Sequence, residues 1–309
     1  MTAAAILSPR AAVFERVKAL VLDALPSAES KRAYGQSLDD FFNWCEAAAV
    51  GEFTKAVVNA YRASLEARKL SPSTINLRLS AIRKLSMEAA DNGLMPPTVA
   101  AAISRVKGAK QAGIRAGQWL TREQAENLLS APDPTTKKGR RDRALLAVLI
   151  GCGLRRREAS ALTVDHIQLR DARWVIIDLI GKGGRVRTVP MPSWTKSAID
   201  SWTAAAEIVS GIVFRAINKG GRVTGSITPR GIFELVQHYG NEIGAPNLAP
   251  HDLRRTFAKL AHKGKSGLEQ IQLSLGHASI TTTERYLGVR QDLADAPCDH
   301  LGLTVEVPR

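Results

Sequence analysis

Long apolar runs are missing from this 309-residue chain: none approaches the roughly 18 residues a membrane-spanning helix requires, so no such helix is expected. Cysteine is scarce and poorly placed for cross-linking. Cys45, Cys152 and Cys298 are odd in number and far apart, which argues against a disulfide framework or a zinc site and fits a reducing cytoplasm. There is no carboxylate cluster and no His/Cys pair at ligand spacing, so neither a metal nor another cofactor is expected. The opening stretch MTAAAILSPRAAVFERVKAL has a short apolar patch but no charged lead followed by a longer one, and predicts no signal peptide. Internal repeats and low-complexity tracts are lacking too. Tyrosine is rare, with four in the chain, so Tyr286 in the polar stretch LGHASITTTERYLG calls for a reason.

Positive charge is what the chain has in excess. The net value is +14, and it is unevenly spread: residues 1–106 hold 13 Lys+Arg against 10 Asp+Glu, whereas 107–309 hold 30 against 19. The second part is the one expected to meet a polyanion most closely, although charge alone does not separate DNA from RNA or an acidic membrane. Apolar residues make up 45% of the chain, enough to fill two cores.

The first hundred residues read as a helical bundle. AAVFERVKALVLDAL and KRAYGQSLDDFFNWCEAA repeat apolar residues at helical spacing. The best-marked helix follows Ser71, which can cap it, with Pro72 in its first turn and Gly93 at its close. Ile75, Leu79, Ile82 and Leu85 form its apolar stripe, and Asn76, Arg78 and Arg83 make this helix either a groove reader or a solvated face. A basic, aperiodic stretch from Val106 to Trp119 is expected to link residues 1–105 to a second domain, 120–309. That domain opens at TREQAENLL, where Thr121 and Gln124 have capping-box spacing, and is mostly helical. The exceptions are WVIIDL and RVRTVPM, two β-rich segments joined by a glycine-containing turn.

Four clusters in the second domain are each weak alone. GLRRRE puts Arg155 at a helix start with Glu158 three residues on, the spacing of an ordinary ion pair. GKGGRVR puts Lys182 at a hairpin tip. HDLRRT sets His251 and Arg254 on one helical face. The fourth, LGH…Y, holds His277 nine positions before Tyr286.

In this order the four resemble the active-site boxes of the tyrosine recombinase, or phage integrase, family, and the resemblance runs from about Ala11 to Tyr286. It implies a mainly α protein: a SAM-like core-binding bundle, then an α-rich catalytic domain with a small antiparallel β-sheet. It also implies roles. Arg155 and Arg254 match the two catalytic arginines, Lys182 the hairpin lysine, His251 the histidine of the HxxR box, His277 the His/Trp position and Tyr286 the nucleophile. Glu158 falls on the acidic position after the first arginine. Arg255 stands where many relatives have histidine, and the tail after Tyr286 matches no pattern.

The implied reaction is DNA strand exchange through a 3′-phosphotyrosine, without metal or ATP, and the residue types suit it. A phenol of pKa about 10 needs help to attack. Two permanently cationic guanidiniums match the charge that builds on a phosphate, with a hydrogen bond from His277 added. Lys182 is expected to protonate the leaving 5′-oxygen, His251 to accept or orient the tyrosine proton, and Glu158 to position Arg155 or His251. A type IB topoisomerase-like enzyme and a non-catalytic DNA-binding protein are the rivals; the bundle and the HxxR box count against the first, the intact boxes against the second. With helices beginning near residue 11 there is little room for an arm-binding domain, which favours a simple-site enzyme resembling the Xer resolvases or transposon and plasmid recombinases. The expected partner is double-stranded DNA, bound by a homotetramer on paired sites. Leu301, Leu303, Val305 and Val307 in the tail alternate as a strand would and are candidates to dock on a neighbouring copy.

Overall fold

A computed structural model describes residues 11–110, 118–181 and 184–288. Lys182, Cys298 and the tail with Leu301, Leu303, Val305 and Val307 lie outside the described residues, as does the middle of the expected linker. The chain divides into two compact units, residues 1–115 and 116–309.

Within the first unit the described residues form five helices: α1 (Ala11–Asp23), α2 (Ala28–Ala47), α3 (Lys55–Ala67), α4 (Pro72–Asp91) and α5 (Pro97–Ser104). Each of α2, α3 and α4 begins where a hydroxyl can take an orphan N–H: Ser27, Thr54 and Ser71 accept from Ser30, Val57 and Thr74. The stripe on α4 is the centre of the core, with Leu79 and Ile82 fully buried against Leu38, Phe41, Tyr61 and Leu65. Phe41 meets Tyr61 edge-on at 4.9 Å, an aromatic pair inside this core.

The polar residues of α4 have a different use from the groove reading expected of them. Asn76 clasps the backbone of Ala109, donating to its carbonyl at 3.1 Å and accepting from its N–H at 2.8 Å. Arg78 pairs with Asp40 at 2.6 Å, and Arg83 donates to the Val106 carbonyl. All three side chains are tied to groups inside the unit, although Arg83 Nε keeps no partner. These bonds also bring Val106 into the core at 2% exposure, so the ordered bundle extends past 105 to at least Ala109.

The second unit is built on α7 (Lys137–Gly151), whose residues Ala144 to Ile150 are all buried. α6 (Arg122–Ser130) precedes it, with the Thr121–Gln124 capping box formed in both directions. After α7 come α8 (Arg156–Ser160) and a three-stranded antiparallel sheet in the order β1 (Ile167–Arg170), β2 (Arg173–Ile180), β3 (Val186–Pro190). Then follow α9 (Ser193–Ala205), a second hairpin of β4 (Arg215–Ile217) and β5 (Val223–Ser226), and the helices α10 (Pro229–Glu242), α11 (Pro250–Lys263), α12 (Leu268–Leu275) and α13 (Ile280–Leu287). The expected β2–β3 hairpin is there. β1, β4 and β5 are additions: at three or four residues, with half-exposed side chains, they leave no alternation long enough to read.

Candidate active site

The buried helix α7 ends at Cys152, and Gly153 turns the chain sharply out of it with φ +59°. A side chain at Gly153 would be strained by that φ, and its Cβ would come 2.8 Å from the Phe257 ring. The turn delivers Arg155 to the start of α8. There its backbone N–H donates to Glu158 at 2.8 Å and its Nη1 to the same carboxylate at 2.7 Å. Burial pushes the Glu158 carboxyl up, but hydrogen bonds from Arg187 and the Arg155 backbone, with the charge of Arg187, outweigh it and hold it at about 2.

Pro250 starts α11, and Asp252 caps it by accepting from the Ala249 N–H at 3.0 Å. The helix carries His251 and, one turn on, Arg254. Arg254 is 1% exposed: Nη1 donates to the Gly153 carbonyl at 2.5 Å and Nη2 to that of Leu275. The Leu275 carbonyl also takes Arg155 Nη2 at 3.5 Å, so the end of α12 ties both arginines together. Burial, then the neighbouring Arg155 charge, presses the Arg254 pKa down, yet a guanidinium stays charged at neutral pH.

α12 closes on Gly276 in the left-handed conformation, φ +61°, and His277 follows. Its Nδ1 lies 2.9 Å from Thr283 Oγ1. Burial, with the charges of Arg254 and Arg155, pushes the imidazole down to about 4, so it is neutral at pH 7. His251 is shifted the same way by loss of water on its packed side and by Arg255 and Arg254.

Tyr286 on α13 is half-buried among them. Its ring stands edge-on to His277 at 5.3 Å and to His251 at 5.5 Å, with the Arg255 guanidinium 5.0 Å from its centroid. Its hydroxyl donates to the His251 carbonyl at 3.3 Å. Burial raises the phenol pKa, against the lowering influence of Arg254 and Arg255.

Arg155, Glu158, His251, Arg254, His277 and Tyr286 therefore meet in one place, drawn from four segments of the unit. Lys182 is outside the described residues, but Gly181 before it packs on the site: a Cβ there would be 3.6 Å from Arg155 Nη1. Two further residues belong to the cluster. Arg187 forks onto Glu158 at 2.8 and 2.7 Å, and fully buried Thr283 holds His277. Arg187 could have been found, since it shares the inward face of β3 with buried Val189, where a charge needs a partner. Thr283 gives no such signal among three consecutive threonines. Among the described residues, no three His, Cys, Asp or Glu side chains gather as metal ligands would.

The sequence and the fold match those of known proteins. Residues 118–292 fit the phage integrase family and residues 17–93 the phage integrase N-terminal SAM-like domain. The chain belongs to the phage integrase family. It is a site-specific tyrosine recombinase. Among its relatives, tyrosine recombinase XerC of Xylella fastidiosa (strain 9a5c) is 31% identical over 264 residues, covering 84% of this chain and 86% of the relative. XerC of Pseudomonas fluorescens (strain Pf-5) is 28% identical over 266 residues, covering 84% and 85%. The solved structure of XerH recombinase bound to a palindromic difH substrate, a post-cleavage complex, shares the fold with TM-score 0.70 at 21% identity, covering 89% of this chain and 80% of XerH.

Proposed function

We propose that this recombinase cuts and rejoins double-stranded DNA through Tyr286, forming a 3′-phosphotyrosine without metal or ATP. The observation that carries the reading is the contact of the Tyr286 ring with two neutral histidines, beside two arginines that share the Leu275 carbonyl. The tyrosine oxygen attacks phosphorus and its proton passes to His251, whose lowered pKa keeps the imidazole free to accept it. Arg155 and Arg254 meet the charge that grows on the non-bridging oxygens, and His277 adds a neutral donor. Lys182 protonates the departing 5′-oxygen. The phosphotyrosine keeps the energy of the broken bond, so a 5′-hydroxyl from another strand reverses the step and joins new partners.

The tyrosine hydroxyl bonds the His251 backbone rather than its ring, and Arg254 is 1% exposed. Side chains around the phosphate must therefore shift as DNA seats. One active site cuts one strand, so exchange between two duplexes calls for four copies, a homotetramer on paired sites. The tail from Leu301 to Val307 is the segment we assign to contacts between them. The relatives' XerC identity favours a simple-site, Xer-like role in the cytoplasm.

The test is trapping on a nicked DNA substrate that loses its leaving strand. The protein should become covalently attached in EDTA with no nucleotide added. Attachment that requires magnesium or ATP would contradict the mechanism.

A further inference from the structure

Arg187 is buried within the site, with a side chain 8% exposed, and the reaction above makes no use of it. It stands on β3, five residues after Lys182. Both Nη atoms fork onto the Glu158 carboxylate, and Nε donates to the Ser274 carbonyl at 2.9 Å. Glu158 is bonded in turn to Arg155 through side chain and backbone. One carboxylate, 6% exposed, thus lies between two guanidiniums of unequal access: 8% for Arg187 and 33% for Arg155. Gly276, next to His277, makes room for this arrangement, because a Cβ there would sit 2.8 Å from Arg187 Cδ.

We propose that Arg187 is a positioning residue for strand cutting: it neutralises and fixes the buried Glu158 carboxylate, leaving the charge of Arg155 available to the scissile phosphate. The inference rests on the recombinase reading of the site. With Arg155 as its sole cationic partner, Glu158 would cancel the charge that the phosphate needs, and a bonded neutral pair offers an anion little. With Arg187 included the trio carries a net positive charge. Arg187 faces inward, so that surplus is presented at Arg155, its accessible member. Arg187 also joins three pieces of the site that are distant in sequence: the strand leading from Lys182, the turn bearing Arg155, and the end of α12 before His277. Its Nη atoms are taken up by Glu158 and its Nε by the Ser274 carbonyl, so its effect passes through Arg155.

A purely structural ion pair would lower stability and activity alike on any substrate; a charge-positioning role would not. Arg187→Met removes the charge at similar volume, and Arg187→Lys keeps the charge but loses the fork. Each is compared with wild type in single-turnover cleavage of nicked DNA carrying either a normal phosphate or a methylphosphonate at the cut position. The methylphosphonate lacks the non-bridging negative charge. On phosphate, Arg187→Met should cut roughly 100-fold more slowly, with half-site binding unchanged. On methylphosphonate the gap should shrink to under about tenfold, since Arg155 has less charge to meet. Arg187→Lys should fall between wild type and Arg187→Met. An equal loss on both substrates, or wild-type cutting by Arg187→Met, would overturn the proposal. If Arg187→Met loses its cooperative melt, the same comparison on Arg187→Lys decides, by the same criterion. A wild-type protein that forms no covalent complex would instead overturn the reading of the reaction, and this proposal with it.

Discussion

Thr283 Oγ1 lies 2.9 Å from Nδ1 of His277, and the threonine is fully buried. The imidazole, held down at about 4, is neutral at pH 7 and carries a single ring proton. A hydroxyl that donates to Nδ1 puts that proton on Nε2, where it can serve a phosphate oxygen. Thr283→Val keeps the shape and removes the hydroxyl. Strand cutting should slow by about tenfold, the worth of one hydrogen bond, while DNA binding changes little and the melting transition falls by an amount corresponding to roughly 1 kcal/mol. Thr283→Ser should restore the rate. Equal rates for the valine variant and wild type would show that Thr283 does not set the tautomer.

The shifted groups predict a two-stage loss of stability in acid. His277 has a folded value of about 4 against 6.5 unfolded, so the unfolded chain takes up its proton first and stability falls as pH drops from 6.5 towards 4. His251 is lowered too and acts in the same direction below 6.5. Glu158, at about 2 against 4.5, favours the folded state above 4.5 and loses that contribution as pH falls towards 2. Chemical unfolding between pH 7 and 4.5 should show the decline, and His277→Gln should flatten it. A wild-type curve level over that range would contradict the buried, neutral assignment.

Lys182 tests the leaving-group step by substrate chemistry. Lys182→Ala should cut ordinary DNA slowly and recover most of its rate on DNA with sulfur at the 5′-bridging position, because a thiolate departs without a proton. The readout is the ratio of the two rates. A ratio matching the wild-type ratio would move Lys182 from proton transfer to binding.

On α4, Asn76 fastens the Ala109 backbone, a use that competes with base reading. Asn76→Ala removes two hydrogen bonds and leaves the Ala109 backbone unpaired, so the melting transition of the first unit should fall by an amount corresponding to roughly 1–3 kcal/mol. The order of preference among DNA sequences should stay the same. A changed preference with unchanged stability would return Asn76 to the DNA interface.

The bundle was legible because its helices carry their own signals, a hydroxyl cap at Ser71 and an unbroken stripe from Ile75 to Leu85, and Thr121 marked the first helix of the second unit in the same way. The β2–β3 hairpin was legible from β-rich segments flanking glycines. Short strands such as β4 were not, since three residues hold no period. Long-range polar bonds were equally hidden. Nothing in SPSTINLRLS reveals that Asn76 will meet a backbone 33 residues away. The candidate site could be proposed only from an ensemble of boxes, and the links among its residues, Arg187 to Glu158 and Thr283 to His277, come from the fold.

Locating the adduct tests the role of Tyr286 as the nucleophile whose oxygen bonds to DNA phosphorus. Protein trapped on a nicked substrate is digested, and the nucleotide-bearing peptide is sequenced by mass spectrometry. The adduct should sit on Tyr286, and Tyr286→Phe should bind the same DNA yet give no adduct. An adduct on any other residue, or a phenylalanine variant that still becomes attached, would contradict the account.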